Sequence, residues 1–458
     1  MSKFTITAAN AETQEEFVMI YDNEDSTLVD LNGVSLVETP KPTLGADGKW
    51  QTSKFFTATS FDRNEPVGKK SPRVMKIALG LSCNYECEYC SQRFVPRADE
   101  TNKDDVAPFI DGLDSWVTSP PEKIEFWGGE PLVYIKTMVP LAEALRAKYP
   151  DVQFSIITNG SILTPEINEW LEKNNFSVGL SHDGPGQHVR GPDPFADPEK
   201  KANILDLYRR LSPKKKMSFN VMMNRANTSR KAAQEFFIEV TGDPNVSIGE
   251  GGIVDAYDEG GISQSLRSED HLKYRNSTFG EIRYGEANNF GNTMNKIADF
   301  VRSIQVKRPA SSLGQRCGMD KRSTIAVDLK GNVLTCQNVS IEGVAPNGES
   351  HKIGHVSELD KAKLNTARHW SKRDDCAKCP VLQLCKGACM FLEGPLWDTT
   401  CDNAYSDNIP AFAAGIEILT GYVPIKIEGD FRDDRKDIWG LFGESKKPMQ
   451  KHIPIKQI

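Results

Sequence analysis

The stretch Val74-Met-Lys-Ile-Ala-Leu-Gly-Leu-Ser-Cys-Asn-Tyr-Glu-Cys-Glu-Tyr-Cys90 decides how the rest of the chain is read. Its first part, Val74–Leu79, is a short apolar run that predicts a strand. The second part sets Cys83, Cys87 and Cys90 at C-x3-C-x2-C spacing on one tight loop. Three thiolates so placed can hold three irons of a cubane [4Fe–4S] cluster, which ordinarily takes four cysteines. The remaining iron is then open to another ligand, so the cluster is a reaction site as well as an electron carrier. Zinc and disulfides are the alternatives. Zinc favours four ligands in two C-x2-C-like pairs, and disulfides need an oxidising compartment.

From Val74 outward to about Tyr257 the chain alternates short apolar runs with amphipathic stretches, the pattern of a parallel β/α architecture. Strands are expected at Val74–Leu79, Lys123–Trp127, Val152–Thr158, Ser177–Ser181, Met217–Met223 and Val246–Ile253. Helices are expected at Asp104–Trp116, Val133–Lys148, Pro165–Lys173, Pro198–Leu211 and Ser229–Val240. Thr164-Pro165-Glu166 reads as a cap followed by proline at the first helical position. In parallel barrels the chemistry sits on the loops after the strands, which is where the cysteine loop falls. The second strand runs into Trp127-Gly-Gly-Glu-Pro131. There Gly128 and Gly129 permit close backbone approach, and Glu130 is placed to accept hydrogen bonds from an ammonium. The third and fourth strands end in Thr158-Asn-Gly160 and Ser181-His-Asp-Gly-Pro185. Asn159, Asp183 and Gly184 are residues that make turns, and His182 has no base or nucleophile partner visible in the sequence and is read as structural.

Size and composition set limits on the rest. The chain has 458 residues, 38% hydrophobic and 26% charged, with a net charge of −7. That suffices for two or three domains with a sizeable core. No basic tract marks a nucleic-acid footprint, and no apolar run approaches the roughly 18 residues of a membrane span. The amino terminus lacks the layout of a secretion signal. A reducing cytoplasm is therefore expected, where the ten cysteines serve as metal ligands rather than disulfides.

The C-x3-C-x2-C spacing, with Tyr89 just before the third cysteine, resembles the signature of the radical S-adenosylmethionine (SAM) enzymes. The G-G-E-P, T-N-G and S-x-D-G-P segments resemble further motifs of that family. The resemblance implies a partial (β/α)6 barrel whose open iron chelates the amino and carboxylate groups of SAM. One electron then breaks the sulfur–C5′ bond, giving methionine and a 5′-deoxyadenosyl radical that abstracts a substrate hydrogen. By the same resemblance Tyr89 packs near the adenine, and Gly128, Gly129 and Glu130 bind the amino group. Ser181 lies near the ribose or carboxylate, with Arg190 a further candidate for the carboxylate.

The other seven cysteines follow residue 316: Cys317-x13-Gly331-x4-Cys336, Cys376-x2-Cys379-x5-Cys385-x3-Cys389, then Cys401. This order resembles the SPASM extension, which holds two auxiliary iron–sulfur clusters, expected here to be [4Fe–4S]; zinc ribbons also use C-x2-C pairs. The resemblance assigns Cys376, Cys379, Cys385 and Cys401 to a distal cluster. Cys317, Cys336 and Cys389 go to a cluster nearer the barrel. The family's usual eighth cysteine is missing between Cys317 and Cys336, so either another group such as Asp320 closes that site or one iron stays open.

The expected organisation is an amino-terminal β-rich extension (1–72), the radical SAM barrel (73–305), the SPASM region (306–405) and a carboxyl-terminal helix and tail (406–458). The extension is read as a small β-hairpin, from Phe17–Tyr21 and Ser26–Leu31, rather than a leader-gripping winged helix. Residues 407–458 are read as a helix and an irregular tail. Segment 249–261 would form a lip over the barrel, with Asp255, Asp258 or Glu259 as proton acceptor; a plain solvated loop is the other reading. Taken together, the resemblance implies an α/β radical SAM oxidoreductase or maturase that oxidises or crosslinks a peptide or protein side chain. The auxiliary clusters would take the electron, and flavodoxin or ferredoxin would serve as low-potential donor. The same chemistry on an amino sugar, nucleoside or cofactor precursor is the alternative, and a non-catalytic iron–sulfur or zinc protein a third reading.

Overall fold

The computed structural model describes residues 2–40, 43–44, 50–51, 66–96, 100–345 and 348–435. Six parallel strands form its centre: β1 (Val74–Ala78), β2 (Lys123–Trp127), β3 (Gln153–Thr158), β4 (Ser177–Ser181), β5 (Met217–Met223) and β6 (Ile248–Ile253). They pair in sequence order, each with the next. The six expected strands and their order are found, with ends differing by at most two residues. Helices Ile135–Lys148, Pro165–Lys173, Pro198–Leu211 and Arg230–Thr241 connect β2 through β6. Their starts follow the local chemistry: Thr164 accepts a hydrogen bond from the Ile167 amide with Pro165 in the first turn, and Ser229 accepts one from the Ala232 amide.

Strand alternation divides the sheet into two unlike faces. Met75 and Ile77 of β1, Ile124 and Phe126 of β2, Val178 and Leu180 of β4, and Phe219 and Val221 of β5 are buried in one core. The opposite face carries Lys76, Glu125, Ser155 and Ser218, each only partly buried. A parallel sheet covered on both faces by apolar groups reads as continuous hydrophobic runs. These strands alternate instead, and the inner wall is polar.

The sheet continues past β1. Strand β7 (Thr324–Asp328) pairs parallel with β1 on its free side, and β8 (Asn332–Leu334) and β9 (Lys352–His355) follow antiparallel. Cys317 and Cys336, on either side of the β7–β8 hairpin, are thereby carried to the barrel edge. A 27-residue helix, Gly394–Thr420, then crosses back. It carries Cys401 and fastens to the barrel side through buried Asp407, which pairs with Arg230 at 2.5 Å and Lys296 at 3.2 Å.

At the amino terminus the expected hairpin is present as part of a larger sheet. Strands Lys3–Asn10, Glu16–Asp22 and Thr27–Asp30 form an antiparallel meander, and Tyr422–Glu428 adds to its first strand. The segment read as an irregular tail therefore contains a strand, held by Phe4, Ile6, Val423 and Ile427 in one core. The rest of that tail, from residue 436, lies outside the described residues. Among the described residues no helix is long and apolar enough to cross a membrane.

Candidate active site

The loop after β1 docks on the turn after β2. The Gly129 amide donates to the Gly80 carbonyl and the Glu130 amide to the Ser82 carbonyl, both at 3.0 Å. A Cβ on Gly129 would sit 2.5 Å from the carbonyl oxygens of Leu81 and Ser82. The close approach that glycine permits is thus made to the cysteine loop itself. Cys83, Cys87 and Cys90 lie within electrostatic reach of one another, and burial pushes the Cys87 thiol up to about 11. Backbone amides point at sulfur: Tyr85 donates to Cys83 Sγ and Gln92 to Cys90 Sγ, each at 3.4 Å. Hydrogen bonds to sulfur are one of the levers that set iron–sulfur chemistry.

Glu130 is almost fully buried beside Cys83. Its Oε1 accepts from the Leu132 amide at 3.1 Å and the Thr158 hydroxyl at 2.7 Å, and its Oε2 from the Asn159 amide at 2.7 Å. An ionised carboxylate has about four acceptor sites, so three are used internally and one is left for a further donor. Burial raises its pKa against these donors. Asn159 makes more than a turn: its Nδ2 donates to Asn84 Oδ1 at 2.9 Å, tying the end of β3 to the cysteine loop.

Asp183, too, does more than shape a turn, and Arg190 is joined to it. Asp183 is wholly buried; it accepts a short hydrogen bond from the Tyr89 hydroxyl and another from the Met222 amide at 2.9 Å. Arg190 donates to the Tyr89 oxygen at 2.9 Å and lies 3.5 Å from Asp183. Both charges act on Cys87. Arg190 Nε is buried with no partner, a donor available to an anionic group. Ser181 is buried at the end of β4, paired in register with Asn220. His182 is fully buried among Phe195, Phe236 and Phe237; it contacts Asp193 at 3.0 Å and accepts from the Gly184 amide at 2.9 Å. Burial lowers its pKa, against the pull of Asp193, as suits a structural residue.

The seven later cysteines fall into the two expected groups. Cys376, Cys379, Cys385 and Cys401 line one pocket with Arg435. Cys317, Cys336 and Cys389 lie within electrostatic reach of one another. Burial pushes the Cys336 thiol up to about 12 and those of Cys385 and Cys389 to about 11. Two arginines face these thiols, and the motif pattern does not flag them. Arg435 donates to Cys401 Sγ at 3.3 Å; Arg316 faces Cys385 while paired to Asp255. Asp255 is thereby placed beside Cys389, whereas Asp258 caps the helix Glu259–Gln264. Asp320 is buried near Cys317; its Oδ2 accepts from the Gln315 amide at 2.7 Å, and its Oδ1 has no partner. Among the described residues, no three His, Cys, Asp or Glu side chains gather closely enough to ligate one metal ion. A donor set of free thiols, with amides and guanidinium groups facing several of the sulfurs, suits iron–sulfur clusters.

The family model of the radical SAM superfamily matches residues 77–234. The cysteine-type anaerobic sulfatase-maturating enzyme of Clostridium perfringens is 23% identical over 337 residues, 67% of this chain and 85% of that enzyme. The radical SAM cyclopropyl synthase TigE of Paramaledivibacter caminithermalis is 26% identical over 153 residues, 29% of this chain and 32% of that protein. The solved structure of native anSMEcpe with bound AdoMet and the Cp18Cys peptide superposes with a TM-score of 0.55 at 18% identity, over 76% of this chain and 98% of that one; this likeness is one of fold. With its cysteine loop, its parallel sheet and these relatives, the chain carries a radical SAM domain over residues 77–234 and is an enzyme similar to the anaerobic sulfatase-maturating enzymes.

Proposed function

We propose that this enzyme oxidises or crosslinks a peptide or protein side chain in a reducing cytoplasm, with flavodoxin or ferredoxin as electron donor. The observation that carries the reading is the three-thiol loop with Glu130 against Cys83 and the unpartnered Arg190 Nε close by. When bound, the cluster and SAM supply one-electron cleavage of a sulfur–carbon bond and with it hydrogen abstraction. Cys83, Cys87 and Cys90 would hold that cluster. Glu130 would use its remaining acceptor site on the ammonium of SAM, and Arg190 would meet the carboxylate. Tyr89, held by Asp183, would form the wall beside the adenine, with Ser181 at the ribose.

Two auxiliary [4Fe–4S] clusters complete the proposal. The distal one would be held by Cys376, Cys379, Cys385 and Cys401; the nearer one by Cys317, Cys336 and Cys389, with the free Oδ1 of Asp320 as fourth ligand. Arg435 and Arg316 would offset thiolate charge at these centres. A peptide substrate is supported by the relationship to sulfatase-maturating enzymes. The test is anaerobic reconstitution with iron and sulfide, reduction in the presence of SAM, and mass-spectrometric detection of 5′-deoxyadenosine. Formation of that product supports the proposal; none from a protein loaded with iron would overturn it.

A further inference from the structure

Beyond the long helix that carries Cys401, the chain returns to the distal cysteines. Strand Tyr422–Glu428 pairs with Lys3–Asn10, and Phe431 packs edge-on against Phe4 at 5.7 Å. The turn that follows, Asp433–Arg435, is thereby fixed beside the distal site. Arg435 lines one pocket with Cys376, Cys379, Cys385 and Cys401, and it lines a second with Phe431, Arg432 and Cys379. Its side chain is only 4% exposed. Nη2 donates to Cys401 Sγ at 3.3 Å and to Asp402 at 2.8 Å. Tyr405 secures it: the hydroxyl donates to the Arg435 carbonyl at 3.2 Å, and the ring lies 4.8 Å from the guanidinium. Nε is buried with no partner among the described residues, a second donor in the same wall.

The two auxiliary sites differ in charge. At the distal one, Asp402 is shared between Arg435 and Arg432. Arg373 acts on Cys376 and Cys401 while donating to the Arg368 and Leu392 carbonyls at 3.0 and 2.8 Å. At the nearer one, carboxylates face the thiols, Asp255 beside Cys389 and Asp320 beside Cys317. Two cations there are already paired: Arg316 with Asp255, and Lys76 with Glu125 at 3.6 Å. Hydrogen bonds to sulfur, net charge and solvent exposure set the reduction potential of an iron–sulfur cluster. Reduction adds one negative charge, so a buried cation donating to a ligand sulfur favours the reduced form, the more strongly where water is excluded. Carboxylates act in the opposite sense.

We infer that Arg435 is a redox-tuning residue: its guanidinium holds the potential of the distal cluster above that of the nearer one, so that an electron shared by the two rests on the distal side. This rests on the reading of the seven late cysteines as ligands of two auxiliary clusters. The test is redox titration of the reconstituted full chain, followed by electron paramagnetic resonance, with iron content measured alongside. In the wild type, the auxiliary signal that titrates at the higher potential should be the one lost in Cys379→Ala; loss of the lower one would overturn the inference. In Arg435→Met, the reduced-to-oxidised ratio of that cluster at a fixed potential should fall about tenfold, the order of one charge-assisted hydrogen bond and about 59 mV for one electron. The other clusters should titrate unchanged. Arg435→Lys, which keeps the charge, should recover most of the shift. An unchanged potential in Arg435→Met with iron content intact would overturn the tuning role alone. Should that variant lose iron, the order of potentials in the wild type decides. If Cys379→Ala removes no iron, the cluster reading and the inference fall together.

Discussion

Replacing Asp183 by asparagine preserves the shape of the side chain and removes its charge. Arg190, whose side chain is only 12% exposed, then keeps a buried guanidinium whose hydrogen-bond acceptors, the Tyr89 oxygen and the asparagine amide oxygen, are uncharged. Stranding one member of a buried ion pair costs about 3–5 kcal/mol. The lower end, about 3 kcal/mol, fits here because the Arg190–Asp183 contact is long and Tyr89 bridges it. Arg190→Met alone leaves Asp183 its hydrogen bonds from Tyr89 and Met222, and should cost about 2 kcal/mol. If the two side chains act as a unit, the double variant should cost no more than Asp183→Asn alone, a coupling of about 2 kcal/mol. Urea denaturation of the four proteins at 25 °C, followed by circular dichroism, measures this. Additivity within about 0.5 kcal/mol would refute the idea that Arg190 is held against the cysteine loop by Asp183.

Glu130→Gln puts an amide donor opposite an existing donor, so stability should fall by about 1–3 kcal/mol and SAM binding, by equilibrium dialysis, at least tenfold; unchanged binding would remove Glu130 from the site. Cys87→Ala should abolish 5′-deoxyadenosine formation while leaving the auxiliary iron, whereas Cys379→Ala should retain some uncoupled cleavage, both read by iron content and product mass. His351, held neutral by burial with a pKa lowered from 6.5 to about 4, contributes stability that is fully present above pH 6.5 and is lost as pH falls through 4. That displacement is worth up to about 3 kcal/mol, and His351→Gln should flatten the acid limb of the stability profile over that window. Asp320→Ala should change the Mössbauer parameters of one auxiliary iron; identical spectra would exclude the carboxylate as its ligand.

The barrel strands were legible because each is a local apolar run bounded by turn residues, and the cysteines because ligand spacing survives in linear order. Strand Tyr422–Glu428 was not, since its partner is Lys3–Asn10 at the other end of the chain, and non-local pairing leaves no local mark. Asp183 was read as a turn former, and Arg190 only as a further candidate for the carboxylate, because nothing in a seven-residue separation shows that both side chains are buried against Tyr89. Arg435 carries no motif, although Arg316 could have been suspected from its place next to Cys317. Lys76 and Glu125 illustrate a further limit. Alternation along β1 and β2 shows that one face is polar, but only closure of the sheet shows that this face lines an interior rather than solvent.

The most direct test of the central claim, a cluster held by three cysteines with SAM on its open iron, is electron paramagnetic resonance of the reduced, reconstituted protein before and after adding SAM. The account predicts a changed spectrum for one cluster, a change that disappears in Cys87→Ala. A spectrum indifferent to SAM, or a protein that takes up zinc and no iron under strict anaerobiosis, would contradict it.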